Sequence, residues 1–290
     1  RIRDAVRSYE SKNGLVENSK PSMSIVINLS DVHVGKKTKS TDFEKICNRI
    51  QYLFDQNTEK IKLLKKTNTI EEVHLNFIGD IIDNDTLYPS QPFHVDKGTA
   101  GNATQQIKAA TLLFSEKINK FQKENKVKVI INAVKGNHGR ISKFTDESNN
   151  LDIMFYNSLE LSLNHNKNIT FNISNGFYNL FYVQNHGFLI NHGNGVRMYQ
   201  NIPWYGLVQR CMRWAGSIGQ PFEYMIVGHF HSSGEQDWND KTIFMNGTAV
   251  TDDDFGLEFL GLSSSNYFWT FGVTKDNGIE FRYKTNLSNV

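Results

Sequence analysis

Aspartate, histidine and asparagine recur along this 290-residue chain in five short clusters whose donor atoms suit divalent cations. The clusters are Asp31-Val32-His33, Gly79-Asp80-Ile81-Ile82-Asp83-Asn84, Gly136-Asn137-His138, Asn191-His192-Gly193 and Gly228-His229-Phe230-His231. Carboxylate, amide oxygen and imidazole are the ligands that hard and borderline metals accept, Mn²⁺ first here, with Fe, Zn²⁺ or Ni²⁺ as alternatives. The single-residue gap between Asp31 and His33 predicts that both point to one side of an extended segment. A second Asn-His-Gly at residues 185–187 competes with His192. Gln184 to Gly187 has the composition of a turn, however, whereas His192 follows the apolar Phe188-Leu189-Ile190.

Nearly every cluster directly follows a short apolar run, at residues 25–29, 73–78, 127–134, 188–190 and 224–227. Such runs, ending in Gly, Asp, Asn or His, predict buried strands that open into loops at their carboxyl ends. If the strands are parallel, the five loops converge on one sheet edge, where open α/β sheets place their sites. Between them, apolar residues at helical spacing predict helices over 41–66, 103–124 and 151–163. From residue 169 short strands dominate, at 169–174, 177–183, 188–190, 242–246, 267–273 and 279–283, with a hairpin signal at Asp276-Asn277-Gly278. The first half therefore reads as α/β and the second as strand-rich, an α/β (α+β) chain.

In this order, the five motifs resemble those of the calcineurin-like metallophosphoesterases, over residues 23–283. The resemblance implies a two-sheet β-sandwich flanked by helices, with a binuclear metal site at the strand carboxyl ends. It also implies ligand roles: Asp31, His33 and His231 for one ion, Asn137, His192 and His229 for the other, and Asp80 bridging. Two such ions about 3.5–4 Å apart activate water and hold phosphoryl oxygens in line. His138, next to a ligand asparagine, is expected to stabilise the phosphoryl oxyanion or protonate the leaving alkoxide. Two departures matter. Where protein phosphatases of this family carry Arg after the second motif's Asp, this chain has Asn84, and Arg140 stands near a position that is acidic there. Loss of that arginine removes the forked partner of a monoester dianion. The pattern points to phosphodiesterases and nucleases, similar to the Mre11/SbcD-type DNA-repair nucleases and their phage-encoded relatives. A small-molecule nucleotide phosphodiesterase or phosphatase, and a metal-binding scaffold without turnover, are the alternatives.

Between His192 and His229, Arg197, Arg210 and Arg213 alternate with Tyr199, Trp204, Tyr205 and Trp214. Arginine contacts phosphate and aromatics stack on bases, so the stretch suits a nucleic-acid rim. Equally, Trp204, Leu207, Val208, Cys211 and Trp214 suit the core face of an amphipathic helix. With Asn84 and Arg140, these three arginines are the candidate substrate contacts. Lys36, Lys37 and Lys39 suit either a solvated loop or a phosphate contact. His94 and Asp96 are expected at the surface, and His74 and His165 in structural roles.

Hydrophobic content of 39% and aromatic content of 12% allow a sizeable core, while a net charge of +2 gives no overall basic field. The two cysteines, Cys47 and Cys211, are expected as buried thiols. No apolar run approaches the roughly 20 residues of a membrane span, and no signal pattern opens the chain; a cytoplasmic protein is expected. Residues 1–20 read as a linker or the tail of a preceding element, and 21–290 as the metallophosphoesterase domain. Because the chain opens on Arg1, a fragment of a longer protein is expected. By the resemblance, a homodimer and an ATPase partner are further expectations, with nucleic acid as substrate.

Overall fold

The structure, a computed structural model, describes residues 20–87, 91–142, 148–251 and 264–290. The expected N-terminal tail lies outside the described residues apart from Lys20. In chain order the elements are β1 (Ser24–Leu29), α1 (Phe43–Leu64), β2 (Glu72–Ile78), α2 (Ala103–Asn125), β3 (Lys128–Val134), α3 (Leu151–Leu163) and β4 (Ile169–Ile173). They continue as β5 (Asn179–Val183), β6 (His186–Asn191), α4 (Trp204–Ser217), β7 (Tyr224–Val227), β8 (Gly234–Trp238), β9 (Lys241–Met245), β10 (Tyr267–Thr274) and β11 (Gly278–Asn286). One sheet runs β11-β10-β1-β2-β3-β4 and the other β5-β6-β7-β9-β8.

The strands that deliver the clusters are parallel within each sheet: β1 to β2 to β3, and β6 to β7. Each is covered on both faces, which is why it reads as a continuous apolar run. Alternation still sorts the faces. In β6, Phe188 and Ile190 join the layer between the sheets while Leu189 faces α4 with Leu207 and Cys211. The opposite face of the first sheet packs on α1, α2 and α3 through Ile46, Ile50, Leu53, Phe114 and Phe155. Side-chain caps start these helices: Asp42, Asn102 and Asn150 accept from the backbone amides of Lys45, Gln105 and Asp152. The result is helix, sheet, sheet, helix, with four helices among the described residues.

Sheet membership does not follow the halves of the chain. β4 pairs in parallel with β3, and β10 and β11 return to the first sheet through β1, so the first sheet closes on the chain's last strands. Periodicity reports that a strand is buried, not which sheet buries it. β8, at the edge and mostly exposed, carries no apolar run and was not expected. The hairpin at Asp276–Gly278 joins β10 and β11. Cys47 is half-buried and Cys211 buried, and both are free thiols, with burial pushing each to about 11. Among the described residues no helix is long and apolar enough to cross a membrane.

A polar ladder, buried on all but its β4 end, crosses the four parallel strands. Asn28, Asn76, Asn132 and Asn172 occupy paired positions. Asn172 donates to Asn132 (3.0 Å), Asn132 to Asn76 (3.0 Å), Asn76 to Asn28 (2.8 Å), and Asn28 to the Trp269 carbonyl (3.1 Å). A one-residue slip of any strand would unpair these amides in an apolar layer. The ladder therefore sets the register that brings the ends of β1, β2 and β3 level. Asn132→Leu is expected to cost about 3 kcal/mol in urea unfolding, because it strands the buried Asn76 oxygen. A loss near zero would show that packing alone sets the register.

Candidate metal centre

Asp31, His33, Asp80 and His192 are buried and meet where the loops after β1, β2, β3, β6 and β7 converge, with Asn137 buried and His138, His229 and His231 half-buried beside them. The loops are laced together through the backbone. His33 donates to the Asp80 carbonyl (3.0 Å), Asp31 to that of Gly79 (3.1 Å), and the His229 amide to both Asp31 carboxylate oxygens (3.0 Å each). Two glycines of the motifs are required by close approach: a Cβ on Gly136 would lie 2.1 Å from an Asp80 oxygen, and one on Gly228 2.5 Å from an Asp31 oxygen.

The backbone at the ligands corrects one expectation. Asp31 and His33 are not in an extended segment; both have positive φ (51° and 50°), as do Asp80 (52°), His229 (69°) and His231 (50°). Each left-handed non-glycine residue costs on the order of 1 kcal/mol. Here the turns fold each strand end back so that alternate side chains close on one point, leaving Asp31 and His33 4.0 Å apart. Asp and His tolerate this region better than most residues, but the spacing of the motifs does not mark these conformations.

The donor set suits cations. His192 Nδ1 can only donate to the Ile78 carbonyl it faces (2.8 Å). When the ring is neutral its Nε2 lone pair therefore looks at Asp80 Oδ2 (2.9 Å) and Asn137 Oδ1 (3.0 Å). His33 repeats the pattern: its Nδ1 faces the Asp83 carboxylate (2.9 Å), and its Nε2 lies 3.1 Å from His231 Nε2, itself 3.4 Å from Asp31. Lone pairs crowded around one point coexist only around a proton or a metal. Burial acts against ionisation of Asp80, but His192 and His138 hold its carboxyl well below the usual range. Burial pulls His192 down, yet Asp80 and Asp31 lift it to about 9. Burial, with His138 or His192 beside them, leaves His33 and His229 at about 4 and neutral. These residues could hold divalent cations: Asp31, His33 and His231 form one group of donors and Asp80, His192 and His229 another, with the Asn137 oxygen beside His192.

Two carboxylates complete the site, and the sequence reading assigned neither a role. Asp83 sits between His33 Nδ1 (2.9 Å) and His138 Nδ1 (3.3 Å), a partner that fixes the tautomer of one and orients the other. Gln91 donates to the Asp83 carbonyl (2.8 Å) and lies 3.3 Å from His138 Nδ1. Burial opposes the proton on His138, but Asp80 and Asp83 prevail and raise it to about 9. Asp152, in the first turn of α3, accepts from the amides of Asp80 (2.9 Å), Ile81 (3.0 Å), Ile82 (3.0 Å) and Gly136 (2.8 Å). One buried side chain thereby ties the second and third motif loops together. An acidic residue in a helix's first turn behind an Asn cap was its only signal in the sequence.

The candidate substrate residues separate. Asn84 is buried, and its amide donates to the His138 and Arg140 carbonyls (2.9 Å each) while its oxygen accepts from Asp85 and Thr86. It braces the loop of His138 and presents no spare polar atom to a substrate. Arg140 is half-buried and Arg197 and Arg213 are exposed. Arg210 donates to Asn191 (3.3 Å) and to the Asn194 carbonyl (3.1 Å) and lies over Trp214, so it supports the His192 loop. The amphipathic helix is α4, with Leu207 and Cys211 buried and Trp204, Val208 and Trp214 partly so. His186 opens β6 away from the cluster, bonded to the Lys275 carbonyl. His74 binds Glu72 and stacks on Phe181, a structural role. His94 is exposed, and Asp96 caps α1 through the Phe43 amide.

No protein-family model matches the chain, and no curated protein matches it in sequence. Solved structures align over most of its length. Vps29 of Entamoeba histolytica, complexed with zinc, is 11% identical with a TM-score of 0.39, over 91% of this chain and 99% of that one. Vacuolar protein sorting 29 of Cryptosporidium parvum is 13% identical (TM-score 0.41; 91% and 99% covered). The E. coli phosphoesterase YfcE is 12% identical (TM-score 0.39; 89% and 98% covered).

Proposed function

We propose that this chain is a calcineurin-like metallophosphoesterase that hydrolyses phosphodiester bonds through two divalent cations, with nucleic acid as its substrate. The observation that carries the reading is the arrangement of donors: Asp31, His33 and His231 form one group, Asp80, His192 and His229 another, and Asp80 also closes on His33 and His138. When bound, a pair of cations in these groups supplies a water of lowered pKa and charge for the phosphoryl oxygens.

The chain's own residues do the remainder. His192 and His33 are held in the ligating tautomer by Ile78 and Asp83, so neither has to reorganise to bind. His138 keeps Nδ1 on Asp83, which leaves Nε2 to carry a proton toward the departing alkoxide. Asp83 favours the protonated imidazole that this role requires. Asp152 fixes the loops that carry Asp80 and Asn137, so the distance between ligand sets is set before substrate arrives.

The substrate class follows from what is missing beside Asp83. Asn84 stands where a forked guanidinium would pair with a monoester dianion, and its amide is already spent on backbone carbonyls. With Mn²⁺, bis(4-nitrophenyl) phosphate is therefore expected to be cleaved faster than 4-nitrophenyl phosphate. A marked preference for the monoester would replace the diesterase by a phosphatase. A panel of single-stranded DNA, RNA and cyclic nucleotides then separates nuclease from small-molecule enzyme.

A further inference from the structure

Beside the Asn137 and His192 positions lies a recess bordered by Lys135, Gly136, Arg140, Asn150, Phe177 and Asn194. Gly136 precedes Asn137 and Asn194 follows His192 by two residues, so the recess opens directly off the ligand loops. Among the described residues that line it, the two charged side chains are both cationic. Phe177, the aromatic among the described lining residues, is 56% exposed. Its backbone is held: Asn191, next to His192, donates its side-chain amide to the Phe177 carbonyl. The ring itself rests against Tyr178 (5.1 Å) and Trp214 (5.5 Å). Past Phe177, a groove of about 920 Å³ continues along Tyr178, Trp214, Asn172 and Asn179.

We infer that Phe177 is a stacking platform for a base of single-stranded nucleic acid, with Arg140 beside it to take a phosphate. The inference rests on the phosphodiesterase reading and names its substrate and the side on which the strand leaves the metal centre. The Arg140 guanidinium suits a phosphate, and the exposed ring selects a polyanion that carries flat apolar faces. The base must leave its stack to lie on Phe177, which selects a single strand over a duplex. Tyr178 and Trp214 hold the ring from behind, so its outer face is presented without a conformational search. The groove beyond them gives the strand a path.

The test uses Mn²⁺-loaded protein and fluorescent, phosphorothioate-linked strands of about twelve nucleotides, within the length such sites cover. One strand is oligothymidylate and the other is abasic; binding is read by anisotropy. Wild-type protein is expected to prefer the thymine strand by about 5- to 150-fold, the worth of one stacked base. Phe177→Leu, which keeps the packing on Trp214 but loses the flat ring, should remove that preference, and Phe177→Trp should retain it. Arg140→Ala should lower the salt slope of binding by about one. Full preference in Phe177→Leu, or none in the wild type, would overturn the platform. Thymidine monophosphate competing as well as the strand would overturn the strand in favour of a free nucleotide. Hydrolysis of bis(4-nitrophenyl) phosphate, measured alongside, reports separately on the phosphodiesterase reading. Turnover without base preference defeats only the platform, and base preference without turnover defeats only the enzyme.

Discussion

Asp80→Asn is expected to lose both cations and to lower kcat/KM on a diester by about 10³-fold or more. Asp80 is buried, with Oδ2 2.9 Å from His192 and Oδ1 accepting from the His138 amide, so it touches both halves of the site. An amide in its place keeps the shape but removes the charge that two cations would share. The same change withdraws the attraction that raises His192 and His138 to about 9, so both would titrate lower in the variant. The loop itself should stay folded, because Asp152 holds it through the backbone amides of residues 80–82. Elemental analysis of the purified variant, with a melting curve as control, checks the expectation. A folded variant with two metals and the wild-type rate would remove Asp80 from the centre.

His138→Gln should do the opposite: both metals stay while kcat falls by roughly 10²–10⁴. The loss should be largest for a poor alkoxide leaving group and smallest for nitrophenolate, which departs without a proton. The pH profile sharpens this. His138 acts in its protonated form, so activity falls as pH rises through its pKa. Cations on Asp80 weaken the larger of the two attractions on that proton, which places the alkaline limb at or below about 9. His138→Gln should lack that limb. Equal losses for every leaving group, with the limb retained, would leave His138 only a role in stabilising the phosphoryl oxyanion.

Both expectations depend on residues whose chemistry was legible in the sequence. Metal ligands have few possible identities, and buried parallel strands announce themselves as apolar runs, so Asp31, Asp80, Asn137, His192 and His229 stood out at strand ends. Their partners did not. Asp83 was visible as a letter of the second motif, but its span between His33 and His138 comes from loops that approach only in three dimensions. Asp152 lies in a helix 72 residues from the Asp80 amide it binds. The asparagine ladder joins positions that periodicity records as ordinary strand residues. Arg210 shows the converse, since residue type suggested a phosphate contact and packing committed it to Asn191 and Asn194. Side-chain type reports what a residue can bind; a nonlocal hydrogen bond decides what it does bind.

Two cations in these ligand groups would make the chain a phosphodiesterase. The most direct measurement titrates Mn²⁺ into chelator-stripped protein while bis(4-nitrophenyl) phosphate hydrolysis and bound metal are followed together. Hydrolysis should be absent at the start, rise as metal binds, and saturate at two ions per chain. Two ions bound without turnover would make the centre a scaffold, and turnover in the stripped protein would contradict the account outright.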